Sequence, residues 1–174
     1  WNCNTGSGDI LYDQSGNQNN GTISGALWSN NTLAKSIYVS TLGSDENGDG
    51  SVEDPYSTIQ KGIDIANDGD SVFVAAGNYI ENINFNGKNI SVIGEDQLTT
   101  TIDGGQYDRV VTFENNETNL SLLKNFTLQN GICFDESSGG GGIYIFNASP
   151  TLDNLKIVSN QSYNHGGGLY IVNS

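Results

Sequence analysis

The sequence predicts an all-β fold, a parallel β-helix (a solenoid of short stacked strands) with a short N-terminal capping helix. Three observations carry this. A glycine-led strand recurs: "GGGIYIFNAS" starting at Gly140 matches "GGGLYIVNS" starting at Gly166, 26 residues on. "LKNFTLQNG" at 123–131 matches "LDNLKIVSN" at 152–160, an offset of 29, and "GKNISVIGE" at 87–95 resembles both more weakly through Asn89, Ile90 and Val92. Beyond residue 70 the chain is a series of short strand signals between glycine- or asparagine-rich turns, with no second helix. Periods of roughly 20–50 residues mark stacked repeats. A propeller blade needs about 40 residues, more than these units hold, and a β-sandwich shows no register between distant turns.

Residues 1–35 are dominated by Gly, Asn, Ser and Asp, which punctuate turns. Only "ILY", "GTI" and "ALW" read as strands there, and they bury little. "SIYVS" at 36–40 alternates and is rich in β-formers, so it reads as a strand. After the acidic loop "TLGSDENGDGSVEDP", "YSTIQKGIDIAND" places Ile59, Ile63 and Ala66 at i, i+4 and i+7, with Ile65 adjoining. That spacing predicts an amphipathic helix over 57–67, with Ser57 as N-cap and the glycine of "NDGD" as its stop. In a solenoid such a helix caps the open end of the column.

From Ser71 onward there is room for roughly four or five coils. Ile143, Ile145, Leu152, Leu155, Ile157, Leu169 and Ile171 are the candidate inward residues. Asn125 and Asn154 hold equivalent positions and are expected to stack their amides in a ladder. The glycine runs are expected where corners turn sharply or coils approach closely. The repeat stops in mid-copy after "IVNS", and the chain opens without Met, so a longer protein cut at the C-terminus is expected. An open last coil leaves strand edges free for self-association.

Composition narrows the partners. Twenty Asp and Glu against six Lys and Arg give a net charge of −14, which disfavours nucleic acid and anionic membrane because phosphate binding needs clustered cations. No apolar run approaches a membrane span. Cys3 and Cys133 form no CxxC pair, so they read either as one long-loop disulfide or as two small buried residues. Of eight N-x-S/T triplets, at Asn20, Asn30, Asn89, Asn116, Asn119, Asn125, Asn147 and Asn160, many are expected by chance in a chain this rich in Asn, Ser and Thr, with glycosylation as the lesser alternative.

Two segments resemble known families. "IYVS…GSDENGDGSVEDPYSTIQKGIDIANDGDSVFVAAGNYIENINFNGKNISVIGE…TTIDGG" resembles the N-terminal part of right-handed, single-stranded parallel β-helix proteins of the pectin-lyase-like superfamily. The tail, of the form "GGGI…N(A/S)SP.L.N..I..N", is similar to surface-exposed repeat versions, including polymorphic outer-membrane proteins and marine bacterial secreted proteins. "WNCNTGSGDILYDQSGNQNNGTISGALW" is similar to the opening of laminin-G-like, concanavalin-like domains, with Cys3 where that pattern has Phe. The expected organisation is therefore residues 1–35 as a partial laminin-G-like opening or linker, and 36–174 as a β-helix with its cap over 36–70 and coils over 71–174. The resemblance implies secretion or cell-surface display.

The sequence shows little chemistry. A β-elimination lyase needs a base near neutral pH and charge neutralisation of its uronate, often by calcium. Lys88, Arg109, Lys124 and Lys156, the cations on the expected coils, sit in no lyase motif. His165, the sole histidine, reads as a surface loop residue. Asp103, Tyr107, Asp108 and Arg109 in "IDGGQYDRV" form the most varied polar cluster and are the candidate substrate-binding residues, against the plainer reading of a turn between coils. In "DENGDGSVED", Asp45, Asn47, Asp49, Glu53 and Asp54 offer alternate oxygens around a glycine and are candidate calcium ligands, although Tyr56 stands where an EF-hand-like loop carries its bidentate acid. The expectation is a non-catalytic secreted or surface module for adhesion or glycan contact, its partner a polysaccharide or cell-surface glycan. The alternative is the N-terminal part of a polysaccharide lyase or hydrolase whose catalytic coils lie beyond residue 174.

Overall fold

The computed structural model describes residues 10, 11, 17, 19–22 and 33–174. Two compact units divide the chain, Trp1–Leu33 and Ala34–Ser174. In the first, strands β1 (Ile10–Leu11) and β2 (Gly21–Thr22) pair antiparallel. The "ALW" strand and Cys3 fall outside the described residues. Cys133 is buried.

The second unit is mostly β, with every strand pair parallel. Its elements are β3 (Ser36–Val39), α1 (Ile59–Ile65), β4 (Ser71–Val74), β5 (Gly77–Ile80), β6 (Ile83–Asn84), β7 (Ser91–Gly94), β8 (Thr100–Asp103), β9 (Val111–Phe113), β10 (Leu122–Gln129), β11 (Ile132–Cys133), β12 (Ile143–Phe146), β13 (Thr151–Val158), β14 (Gln161–Ser162) and β15 (Leu169–Val172). The largest sheet runs β3-β4-β7-β10-β8-β5, with β13 also on β10. A second sheet runs β15-β12-β9-β6, and β11 pairs β14. Parallel neighbours cannot be joined by hairpins. Here β3 reaches β4 through α1, and the later pairs connect through intervening strands, β5 and β6 between β4 and β7 and β8 and β9 between β7 and β10.

Register stacks like on like. Ile37, Val72, Val92 and Leu123 stand opposite one another in successive strands, as do Tyr79, Ile102 and Leu128, and Ile83, Val111 and Ile143. All of these are buried. Strand side chains alternate in direction, so the residues between them face outward and are half-exposed. Each fully buried aliphatic or Phe side chain contributes about 1.5–3 kcal/mol. Of the inward candidates, Ile143 and Ile145 are buried, and Leu152, Leu155 and Ile157 are partly buried against the core. Leu169 and Ile171 depart from expectation: they continue the columns in register, yet they are 39% and 50% exposed. Their strand, β15, has a neighbour on one side only.

The asparagine ladder is present. Asn154 Nδ2 donates to Asn125 Oδ1 at 2.9 Å, and Asn125 Nδ2 donates to the Gly94 carbonyl at 3.2 Å. Both residues have positive φ, +49° and +64°, a conformation asparagine tolerates better than most residues. That kink lets the first half of β10 pair with β7 and its second half with β8.

The helix is shorter than expected, and its caps differ. The N-cap is Thr58, because its Oγ1 accepts from Lys61 N, whereas Ser57 N donates to Asp45. No glycine stops it: Ala66 turns extended, and Lys88 Nζ donates to the Ile63 and Asp64 carbonyls, each at 2.7 Å. Ile59, Gly62 and Ile63 are buried while Ile65 is exposed. A Cβ on Gly62 would lie 2.8 Å from Val72 Cγ1, so the helix sits close on β3 and β4. The free edge of β3 is closed by the acidic loop, through Tyr38 N to Gly50 O, Tyr56 N to Tyr38 O and Ser40 N to Tyr56 O.

Candidate functional site

The acidic loop uses much of its oxygen for its own structure. Asp45 Oδ1 accepts from Ser57 N (2.8 Å) and Thr58 N (3.0 Å), and Oδ2 from Thr58 Oγ1 (2.7 Å). Burial pushes this carboxyl up, but the Thr58 and Ser57 hydrogen bonds together hold it below the usual range. Asp49 Oδ1 accepts from Ser51 N, and hydrogen bonds from Ser51 lower that carboxyl too. The Asp54 carbonyl accepts from Asp49 N and Gly50 N, and Asn47 N donates to Ser44 Oγ. Glu53 and Asp54 are exposed. Among the described residues, no three His, Cys, Asp or Glu side chains converge as a metal site would require. Glu81 joins Asp45 at the helix start, accepting from Ile59 N and Gln60 N. Burial raises its carboxyl despite those bonds.

The candidate substrate-binding residues have different side-chain partners. Asp103 accepts from Gly105 N, Gln129 Nε2 and Asn130 Nδ2, which together hold its carboxyl low against the opposing effect of burial. Asp108 Oδ1 accepts from Arg109 N. Tyr107 is exposed, its ring beside Gly105.

Arg109 belongs to a different neighbourhood, assembled from the next turn of chain. Its Nε donates to Gly139 O at 3.1 Å, and its Nη2 reaches Ser138 Oγ and Cys133 Sγ. Cys133 and Ser138 are buried. Ser138 Oγ in turn donates to Asp135 Oδ2 at 2.9 Å, and Ser137 N donates to Oδ1 at 2.8 Å. The Ser137 and Ser138 bonds, with Arg109 adding its charge, bring the Asp135 carboxyl down to about 2.

The guanidinium thus held lies 4.3 Å from the ring centre of Tyr144. Tyr144 stands directly opposite Tyr170 in β15, with rings 6.1 Å apart and 7° between their planes. Phe146, two residues along β12, lies 6.3 Å from Tyr144 at 5°. The imidazole of His165 meets Tyr170 edge-on at 5.3 Å. Burial raises the Tyr144 phenol, with Arg109 opposing, so it stays neutral and able to donate at physiological pH. Along the same outward row Thr112 stands opposite Tyr144, and Asn84 opposite Thr112. The result is three near-parallel rings on the outer face of a parallel sheet, bordered by a guanidinium, an imidazole, a hydroxyl and an amide. Such a surface can stack on the C–H faces of a ligand ring and hydrogen-bond its rim. Tyr144 and Tyr170 were absent from the sequence-level candidates. The signal was there: both hold one position of the "GG(I/L)Y" repeat, next to the residues read as inward.

The shifts fix a pH dependence. Asp45, Asp49, Asp103 and Asp135 have lowered folded values, so each contributes stability above its ordinary unfolded value that is lost as pH falls through the folded one. Glu81 is raised, so its contribution has the opposite sign, present below its unfolded value and lost as pH rises through the folded one. With four carboxyls of the first sign and one of the second, the thermal midpoint is expected to fall between about pH 4 and pH 2. Calorimetry across that range checks it, and a midpoint that holds or climbs down to pH 2 refutes the assignment. Asp45→Asn is expected to flatten the decline.

Comparison with protein-family models, with curated proteins and with solved structures finds no match for this chain.

Proposed function

We propose that the chain is a non-catalytic, secreted or cell-surface module that contacts glycans through Tyr144, Phe146 and Tyr170. The fold behind it is a right-handed, single-stranded parallel β-helix of the pectin-lyase-like kind. The fold reading rests on parallel pairs in register at 26 residues between Ile143 and Leu169, and at 29 between Leu123 and Leu152. It also rests on the strong right-handed preference of parallel crossovers. A crystal structure fixes the hand. Secretion is supported by the resemblance of the tail to surface repeat proteins. No helix among the described residues is long and apolar enough to cross a membrane.

The observation that carries the glycan reading is the near-parallel Tyr144–Tyr170 pair beside Arg109. Sugars present apolar C–H faces and polar rims, which this arrangement matches in both respects. The ring pair adds affinity by dispersion, and Arg109 is already oriented by Gly139, Ser138 and Cys133, so little ordering entropy opposes binding.

The test is calorimetric titration with oligomers of xylan, cellulose and polygalacturonate, the last with and without calcium. At least one is expected to bind. Tyr144→Ala and Tyr170→Ala are each expected to weaken that binding by roughly two- to tenfold, the worth of about 0.5–1.5 kcal/mol for one aromatic contact. No binding to any, or full binding by the double variant, overturns the site. Release of unsaturated uronate products, followed by ultraviolet absorbance, would overturn the non-catalytic reading instead.

A further inference from the structure

A second surface, on the largest sheet, has a different chemistry. The outward residues Tyr38, Phe73 and Ile93 stand opposite one another in β3, β4 and β7. The Tyr38 and Phe73 rings stack at 5.5 Å with 25° between planes. They line an open cavity of about 540 Å³ whose other lining residues include Val52 and Pro55 of the acidic loop, and Glu95 and Asn125 at the sheet's corner. It reaches across four strands, a span of three strand spacings or roughly 14 Å.

Charge decides what fits. Glu95 is the one ionisable carboxylate among the cavity's lining residues, and no Lys or Arg lines it. Its Oε2 accepts from Ala76 N at 2.9 Å, which orients the group while Oε1 takes no hydrogen bond among the described residues. Asn125 is committed to the ladder through both amide atoms. Lys124, opposite Ile93 in β10, is paired with Asp153 at 2.6 Å. Glu53 and Asp54, both exposed, lie in sequence between the two loop residues Val52 and Pro55. In a chain of net charge −14, a uronate or phosphate would enter against the field with no cation to receive it. A purely apolar ligand would leave the oriented carboxylate unmatched.

We propose that this groove binds an organic cation: an alkylated ammonium head near Glu95 with an apolar body against Tyr38 and Phe73. Aromatic rings attract such heads through their quadrupole, and the carboxylate adds Coulomb attraction. The site is separate from the Tyr144–Tyr170 surface and does not rest on it.

The experiment is a heteronuclear NMR titration of the whole chain with choline and, in parallel, with neohexyl alcohol, its uncharged carbon isostere. A third titration uses a short peptide bearing trimethyllysine, which separates a free ammonium from a peptide-borne one. Choline or the peptide is expected to shift Tyr38, Phe73, Ala75 and Glu95 resonances, at least tenfold more tightly than the isostere. Glu95→Gln keeps an acceptor for Ala76 N and is expected to remove that advantage, and Phe73→Leu to weaken both cations about threefold or more. Tyr144→Ala is expected to change nothing here. Equal binding of the isostere, shifts centred on Tyr144, or no shifts with either cation overturns the proposal.

Discussion

Replacing Gly131 by alanine is expected to cost more than about 4 kcal/mol, which lowers the thermal midpoint of a chain this size by roughly 8–16 °C or removes the cooperative transition. A Cβ there would fall on the carbonyl oxygen of Gly141, with Val110 Cγ2 at 2.6 Å and the Gly141 carbonyl carbon at 2.8 Å. The clash is with backbone, and rotamer changes cannot relieve it. Nor can the chain retreat, because Gly131 N donates to Asn160 Oδ1 at 2.8 Å and Gly131 O accepts from Gln161 N at 2.9 Å. On the other side, a Cβ on Gly104 would lie 2.8 Å from Gly131 Cα, so this turn is pressed from both neighbours. Gly69→Ala is the control: its φ is +90°, but nothing lies within 4 Å of the added carbon. It is expected to cost only the left-handed penalty of about 1–2 kcal/mol. Urea denaturation of both variants checks the ranking. A Gly131→Ala protein within about 1 kcal/mol of the unsubstituted chain would show that the turns can separate there without loss.

What the sequence made legible was what repeats. Ile143 and Ile145 are buried as the alternation of "IYIF" implies, and Asn125 and Asn154 form their ladder because one offset places identical residues opposite each other. Tyr144 and Tyr170 follow from the same alternation: if the isoleucines point in, the tyrosines between them must share the outer face. What stayed hidden depends on contacts without a motif. Arg109 stands out in sequence as part of a varied polar cluster, but its partners Cys133, Ser138 and Gly139 lie 24 to 30 residues away, and unequal offsets obscure which residues meet. Asp45 reads as a candidate calcium ligand from residue type and spacing, which do not disclose the helix-start amides that its carboxylate meets in the fold. Only the path of the loop brought Ser57 and Thr58 to it. Thr58 displaced Ser57 as cap for a related reason, since the hydroxyl that reaches the third helical amide, that of Lys61, decides the position.

Glu117 is the residue whose importance the sequence concealed most, and truncating it is the second large effect expected. It is 1% exposed, with Oε1 accepting from Gly87 N at 2.8 Å and Oε2 from Asn115 N at 2.9 Å. Its own carbonyl accepts from Ser149 N at 2.8 Å. The side chain therefore ties the Gly87 segment to its own, and the backbone carbonyl ties its own to the segment of Ser149. No cation pairs with it among the described residues, and the two amides are its hydrogen-bond partners. Glu117→Ala would leave two partly buried amides without acceptors, each worth about 1–3 kcal/mol, and would open a cavity. A total of roughly 3–5 kcal/mol is expected, in line with other losses of buried polar partners. Glu117→Gln keeps one acceptor oxygen but turns an NH2 toward the second amide, so it is expected to recover about half of that loss. Hydrogen exchange separates this role from a general loss of packing. One of the Gly87 and Asn115 amides should lose protection in Glu117→Gln, and both in Glu117→Ala, while those of β4 and β7 keep it. If both variants stay within about 0.5 kcal/mol of the parent, the size of an ordinary surface substitution, the carboxylate is not what joins these turns.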